Sequence, residues 1–321
     1  MASKISRRDT LALLGGSIAM MGLRPALAAD LPLVRVSIIP IYVVHAHFAA
    51  EKQGYFAQEG IQVTTQPVQG GALGIPGLIS GSFDVLYTNT VSVISAWERG
   101  IDVRVIAESA RTPSTPPDPL ALFKRKGDKI STGKDLEGRS VAVNTRGTLL
   151  WLTMQRWIKA TGGDLSKVTF REIPLPSMVD ALKSKQVDTA YLLDPYLAAA
   201  REDPELELAA WPTSTVMPNV SSSLWVVSGK WAEAHPDLVK AYVRAFYKGG
   251  EWVNENLNKQ AYYDLVAGFT KMDPAKLTKM YQGGQEMRLE AKPILDLADV
   301  MKEFDMLHSD IDVESKIIRV N

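Results

Sequence analysis

Gly77-Leu78-Ile79-Ser80-Gly81-Ser82-Phe83-Asp84-Val85-Leu86-Tyr87 can be laid over Ala181-Leu182-Lys183-Ser184-Lys185-Gln186-Val187-Asp188-Thr189-Ala190-Tyr191, with Leu, Ser, Asp and Tyr recurring at the same offsets. Each copy reads as a helix end, a turn and a β-rich run. Around the first, residues 34–39, 61–66, 85–88 and 103–108 read as strands, and 46–59, 72–80 and 91–99 as helices. Around the second, strands at 120–124, 140–144, 168–172 and 189–193 alternate with helices at 148–161 and 177–185. Strict alternation of this kind predicts parallel sheets covered on both faces, hence a doubly wound α/β fold. Pro113, Pro116, Pro117 and Pro119 forbid a helix between the two series and mark a fixed connector. A strand at 224–228 stands where a second crossing would return, and a helical tail follows in which Pro236, Pro274 and Pro293 suit first-turn positions. The expected organisation is two α/β lobes joined by two crossing strands, with 29–120 plus 226–321 in lobe 1 and 121–225 in lobe 2.

Composition narrows the function classes. The 321 residues carry 36 Lys+Arg against 36 Asp+Glu, are 46% hydrophobic and include no cysteine. That is enough apolar content for two cores, and no basic block offers a footprint for nucleic acid. Thiol catalysis, thiolate zinc sites, disulfides and lipid attachment through cysteine are all excluded. Residues 1–28 read as an export signal: Lys4, Arg7 and Arg8, an apolar run over 11–23, and Ala26-Leu27-Ala28 as a cleavage site. Ser6-Arg7-Arg8-Asp9-Thr10-Leu11 resembles the twin-arginine motif, with Thr10 where a larger apolar residue is usual. Removing that segment takes four basic residues and one acidic residue, so the neutral chain becomes a mature protein of charge −3. No later run is long enough to cross a membrane, so a free periplasmic protein is expected.

Several stretches together resemble the periplasmic substrate-binding proteins of the nitrate, sulfonate and taurine type, related to thiamine-pyrimidine precursor binders. They are Phe48 to Ile61, Gly81-Ser82-Phe83-Asp84, Leu136 to Thr145, Gln186-Val187-Asp188 with Asp194-Pro195-Tyr196, and Ala234 to Val239. The resemblance implies a type II periplasmic binding protein fold and a hinge-bending receptor. Such a receptor delivers a small solute to an ABC importer, its partners being the permease with its ATPase. A monomer without cofactor or catalysis is expected. A pyrimidine-synthase-like enzyme on the same fold is an alternative, although that family's catalytic members carry a cysteine-rich motif absent here. A ligand sensor docking a signalling protein is another.

Capture by closure needs contacts from both lobes, and ligands of open α/β sheets sit beyond the carboxyl ends of the strands. In the loop 40–47, Tyr42, His45 and His47 offer polar tips; two histidines do not make a metal site, so none is expected. Gly71 and Ala72 open a helix after a glycine turn. Asn89 and Thr90 follow the third strand, with Asp194 at the place equivalent to Thr90. Thr145, Arg146, Gly147 and Thr148 form the second-lobe counterpart, suited to an anion. Asp194 with Arg146 or Arg111 would instead suit a zwitterion or polar heterocycle. The plainer role for Asp194 is capping the helix that starts at Pro195, and both roles can coexist. Trp151, Trp157 and Trp225 are candidates for stacking, Trp157 being better suited to the core. The expected ligand is a small polar organic solute, whether sulfonate, carboxylate, zwitterion or heterocycle.

Overall fold

The computed structural model describes residues 31–68, 71–281 and 283–320, so the export segment 1–28 lies outside the described residues. The chain runs through β1 (Leu33–Ile38), α1 (His45–Lys52), α2 (Tyr55–Gln58), β2 (Gln62–Pro67), α3 (Gly71–Ser80), β3 (Val85–Asn89), α4 (Thr90–Glu98) and β4 (Val103–Arg111). It then crosses to β5 (Leu120–Arg125), β6 (Ser140–Val143), α5 (Leu149–Ala160), β7 (Thr169–Glu172), α6 (Met178–Lys183), β8 (Thr189–Leu193), α7 (Tyr196–Glu202), β9 (Leu206–Ala210) and α8 (Pro212–Val216). It returns as β10 (Ser221–Ser228), followed by α9 (Gly229–Ala234), α10 (Pro236–Asn256), α11 (Gln260–Thr270), α12 (Pro274–Leu277) and α13 (Lys292–Lys302). The single helix expected over 46–59 is two, because Gly54 at φ 73° takes the left-handed conformation between α1 and α2. Pro236, Pro274 and Pro293 do stand in first turns.

Two five-stranded sheets carry the fold, ordered β2-β1-β3-β10-β4 and β7-β6-β8-β5-β9. They are mixed rather than parallel, since β10 runs antiparallel to β3 and β4, and β5 antiparallel to β8 and β9. The reason is connectivity: the fourth strand of each sheet arrives directly from the other lobe, with no crossover helix to turn it round. The repeated sequence holds at atomic level. Asp84 N donates to Arg35 O at 2.8 Å while Asp84 Oδ2 accepts from Arg35 N at 2.8 Å. Asp188 N donates to Ser140 O at 3.2 Å while Asp188 Oδ2 accepts from Ser140 N at 2.8 Å. Asp84 thus pins β3 to β1 and Asp188 pins β8 to β6, in the same way.

The two crossings are stitched side by side. Thr112 N donates to Val220 O and Asn219 N to Thr112 O, at 2.9 and 3.0 Å, while Asp118 accepts from Ser214 N at 2.8 Å and Leu120 N at 3.1 Å. A boundary at 225/226 would cut β10, which joins the first sheet from Ser221 onward. The return crossing therefore ends earlier than the sequence suggested. Under the first sheet, His47, Phe56, Trp225, Tyr242 and Phe246 form an aromatic core, with ring centroids of neighbouring pairs 5.3 to 6.5 Å apart. Trp225 and Trp157 are core side chains, and Trp151 lies edge-on to Phe170.

Candidate functional site

A cleft with about 700 Å³ of free space, partly open to solvent, lies beyond the strand ends of both sheets. The first lobe contributes Ile39, Ile41, Tyr42 and Val43 from the loop after β1, Tyr87 and Asn89 from β3, Arg111 from β4 and Ser222 from β10. The second contributes Leu120, Asn144, Thr148, Leu149, Leu150, Leu175 and Leu193. The walls are more apolar than the polar residues expected from the sequence imply, with Ile39, Ile41, Leu149 and Leu175 among them. Their only sequence signal was being apolar in segments that follow strands.

Of the expected residues, Tyr42, Asn89, Arg111 and Thr148 come together on the cleft. Asn89 also caps α4, its Oδ1 accepting from Ser92 N at 3.0 Å. Thr148 precedes α5 but turns its hydroxyl to Thr145 O at 2.7 Å, so the first amides of α5 receive no side-chain cap. Burial and nearby Asp194 hold the Tyr42 phenol far above its ordinary value, so it stays a neutral donor.

The other expectations need correction. His47 is wholly buried, with Nδ1 3.1 Å from Tyr242 OH and Nε2 2.8 Å from Thr65 Oγ1; both ring nitrogens are occupied. His45 pairs with Tyr262 OH at 3.0 Å and is 1% exposed. Thr90 is hydrogen-bonded to Ser221 at 3.2 Å inside the first lobe. Arg146 points away, donating to Phe170 O at 3.0 Å beside Glu172, and is 59% exposed. Thr145 and Gly147 do not line the cleft; Gly147 supplies the φ of 68° that the turn before α5 requires. Gly71 and Ala72 open α3, and their side chains lie outside the described residues, as do positions 69 and 70.

Asp194 is fully buried and absent from the cleft wall. Its Oδ1 accepts from Ala198 N in α7 at 3.1 Å, which is the capping role, and its Oδ2 accepts from Tyr281 N at 2.8 Å. Tyr281 belongs to a strap, described over 278–281 and 283–291, that follows α12 and touches first the second lobe and then the first. On α7 the strap is held by Lys279 to Glu202 at 2.6 Å and by Arg201 to Lys279 O at 3.1 Å. On the first lobe Gln285 exchanges bonds with Asn254 and donates to Glu108 O at 2.8 Å. Glu286 and Glu290 then reach Arg111 at 3.5 and 3.0 Å. The strap is a third tie between the lobes, beside the two crossings.

Burial raises the Asp194 carboxyl to about 7, Glu108 to about 7 and Asp118 to about 6, against the pull of their hydrogen-bond donors. It pushes His45 and His47 down to about 3. Both histidines are therefore neutral in the fold, whereas an unfolded chain protonates them below about 6.5. The stability they allow is complete above that value and lost as pH falls toward 3. Wild type should exceed His47→Gln in unfolding free energy by a margin that shrinks by about 2 kcal/mol from about pH 7.5 to about pH 5. A margin independent of pH in urea titrations would show that His47 is not held neutral.

Among the described residues no three His, Asp or Glu side chains converge to hold a metal, and no helix is long and apolar enough to cross a membrane. A family profile described as "NMT1/THI5 like" matches residues 42–258, two thirds of the chain. The chain belongs to the NMT1/THI5-like family. Within the family's wider kin it is 24% identical over 284 residues to the taurine-binding periplasmic protein of Escherichia coli (strain K12), spanning 79% of this chain and 82% of that one. It is also 24% identical to a putative aliphatic sulfonates-binding protein of Bacillus subtilis (strain 168), over 70% of this chain and 66% of the relative. The fold is that of the alkanesulfonate-binding protein from Xanthomonas axonopodis pv. citri, with TM-score 0.74 at 16% identity over 91% and 100% of the two chains. The periplasmic nitrate-binding protein of Synechocystis PCC 6803 matches with TM-score 0.74 at 12% identity over 89% and 85%.

Proposed function

We propose that this NMT1/THI5-like protein is the solute-binding receptor of an ABC importer. It captures a small organic molecule between its lobes and presents the closed form to a permease with its ATPase. The observation that carries the reading is the cleft itself, walled by strand ends of both sheets; the two hydrogen-bonded crossings are the place we assign to the hinge. The names of the relatives support it. The mature receptor begins after residue 28, works as a monomer in the periplasm, and divides into lobes at the crossings 112–119 and 211–220.

Binding is without chemistry. No histidine lines the cleft: His47 has both ring nitrogens hydrogen-bonded and His45 holds Tyr262 OH through Nδ1, so the cleft wall itself offers a bound molecule no histidine base. A thermal-shift screen of the mature protein across sulfonates, aromatic acids, amino acids, pyrimidines and neutral aromatics should return a solute that raises Tm through linkage and is recovered unchanged. Recovery of a converted product would replace the receptor by an enzyme.

A further inference from the structure

Arg111 is the only cationic side chain among the described residues that line the cleft. It does not present a free positive charge. Its Nε and Nη2 lie 3.1 and 2.9 Å from Glu108 Oε2, and Glu286 and Glu290 stand at 3.5 and 3.0 Å. One guanidinium thus faces three carboxyl groups. Even with Glu108 protonated, as its burial favours, the cluster carries a net negative charge. The uncapped first turn of α5 adds partial positive charge, about half a unit, which does not offset that excess. A sulfonate or carboxylate brought to Arg111 meets more repulsion than attraction.

What remains is a set of hydrogen-bond donors without excess positive charge and an apolar wall. Arg111 Nη1 makes no hydrogen bond to another described residue, and the first amides of α5 and the Tyr42 hydroxyl are also donors. Among them in the cleft wall stand Ile39, Ile41, Leu120, Leu149, Leu150 and Leu175, which disfavour burial of any ion. We propose that the cleft selects an uncharged, mainly apolar organic molecule bearing a hydrogen-bond acceptor, and that Glu286 and Glu290 of the strap impose this choice by neutralising Arg111. The inference rests on the receptor reading and adds the class of solute.

Three ring compounds of similar size separate the possibilities: benzamide, benzenesulfonate and benzylammonium, titrated calorimetrically into the mature protein. Benzamide should bind at least about tenfold tighter than either ion, a difference of about 1.4 kcal/mol. Equal or tighter binding of benzenesulfonate or benzylammonium overturns the inference and leaves the receptor reading standing. Binding of none of the three also overturns it, while the wider screen decides separately whether the cleft binds a solute at all. The double substitution Glu286→Gln with Glu290→Gln should raise benzenesulfonate affinity about tenfold relative to that for benzamide. Glu290→Gln alone, at a side chain 47% exposed, should give a smaller gain in the same direction. No gain in either variant removes the strap carboxylates from the mechanism of selection.

Discussion

Gly249→Leu is expected to lower the unfolding free energy by about 3 kcal/mol, the cost of forcing bulk into a closed contact. Gly249 lies in α10 where that helix meets α1, and a Cβ there would stand 2.1 Å from Ala46 O and 2.8 Å from Ala50 N. Both are backbone atoms of α1, so no side chain can swing aside. The helices must separate, and α1 moves with the loop that carries Tyr42 and Val43 to the cleft. Solute affinity should fall with stability. Gly268→Ala in α11 is the contrasting change, since nothing lies within 4 Å of its added Cβ. Helix propensity there predicts a gain of about 0.5–1 kcal/mol. Denaturant titration of both variants reads the two signs, and a Gly249→Leu protein as stable as wild type would mean that α1 and α10 do not touch as described.

Asp194→Ala is expected to cost about 3 kcal/mol, because Ala198 N and Tyr281 N lose their acceptor together. Asp194→Asn keeps one of the two acceptors and sets its NH2 against the other amide, so it should cost about 1–3 kcal/mol near neutral pH. The carboxyl is raised from 3.8 to about 7 in the fold, so the native state holds a proton that the unfolded chain releases. Its contribution is fullest below the unfolded value and is lost as pH rises from about 4 toward about 7. Relative to Asp194→Asn, wild type should thus weaken as pH increases, opposite in sign to the His47→Gln comparison. An Asp194→Ala protein of unchanged stability with weakened solute binding would put the carboxylate in the cleft after all.

The fold was legible because its signals are local or repeated. Asp84 and Asp188 each sit at a fixed offset from a helix end, and each grips the parallel neighbour of the strand it precedes, β1 and β6. Short apolar runs and prolines marked nearly all the strands and helix starts. Mixed sheets were not legible: the direction of β5 and β10 depends on which lobe they join, and no residue within them records it. The site was half legible. Tyr42, Asn89, Arg111 and Thr148 follow strands and face the cleft, as the positional rule implies. His47 and Thr90 follow strands too, but their partners Tyr242 and Ser221 lie more than a hundred residues away and draw them inward. The same distance hid the strap. Asp194 reads locally as a cap, and only the fold brings Tyr281, 87 residues later, to its second oxygen.

The place of β10, inserted between β3 and β4, sets an order of assembly. The second sheet is built from one continuous stretch, β5 to β9, and can complete itself as soon as that stretch has been synthesised. The first sheet cannot, because β3 and β4 lack the strand that joins them until residues 221–228 arrive. A chain interrupted before Ser221 would carry one finished half and one half with two bare strand edges, which are sticky toward other chains. Truncated products of this protein should therefore aggregate through their beginnings rather than their ends.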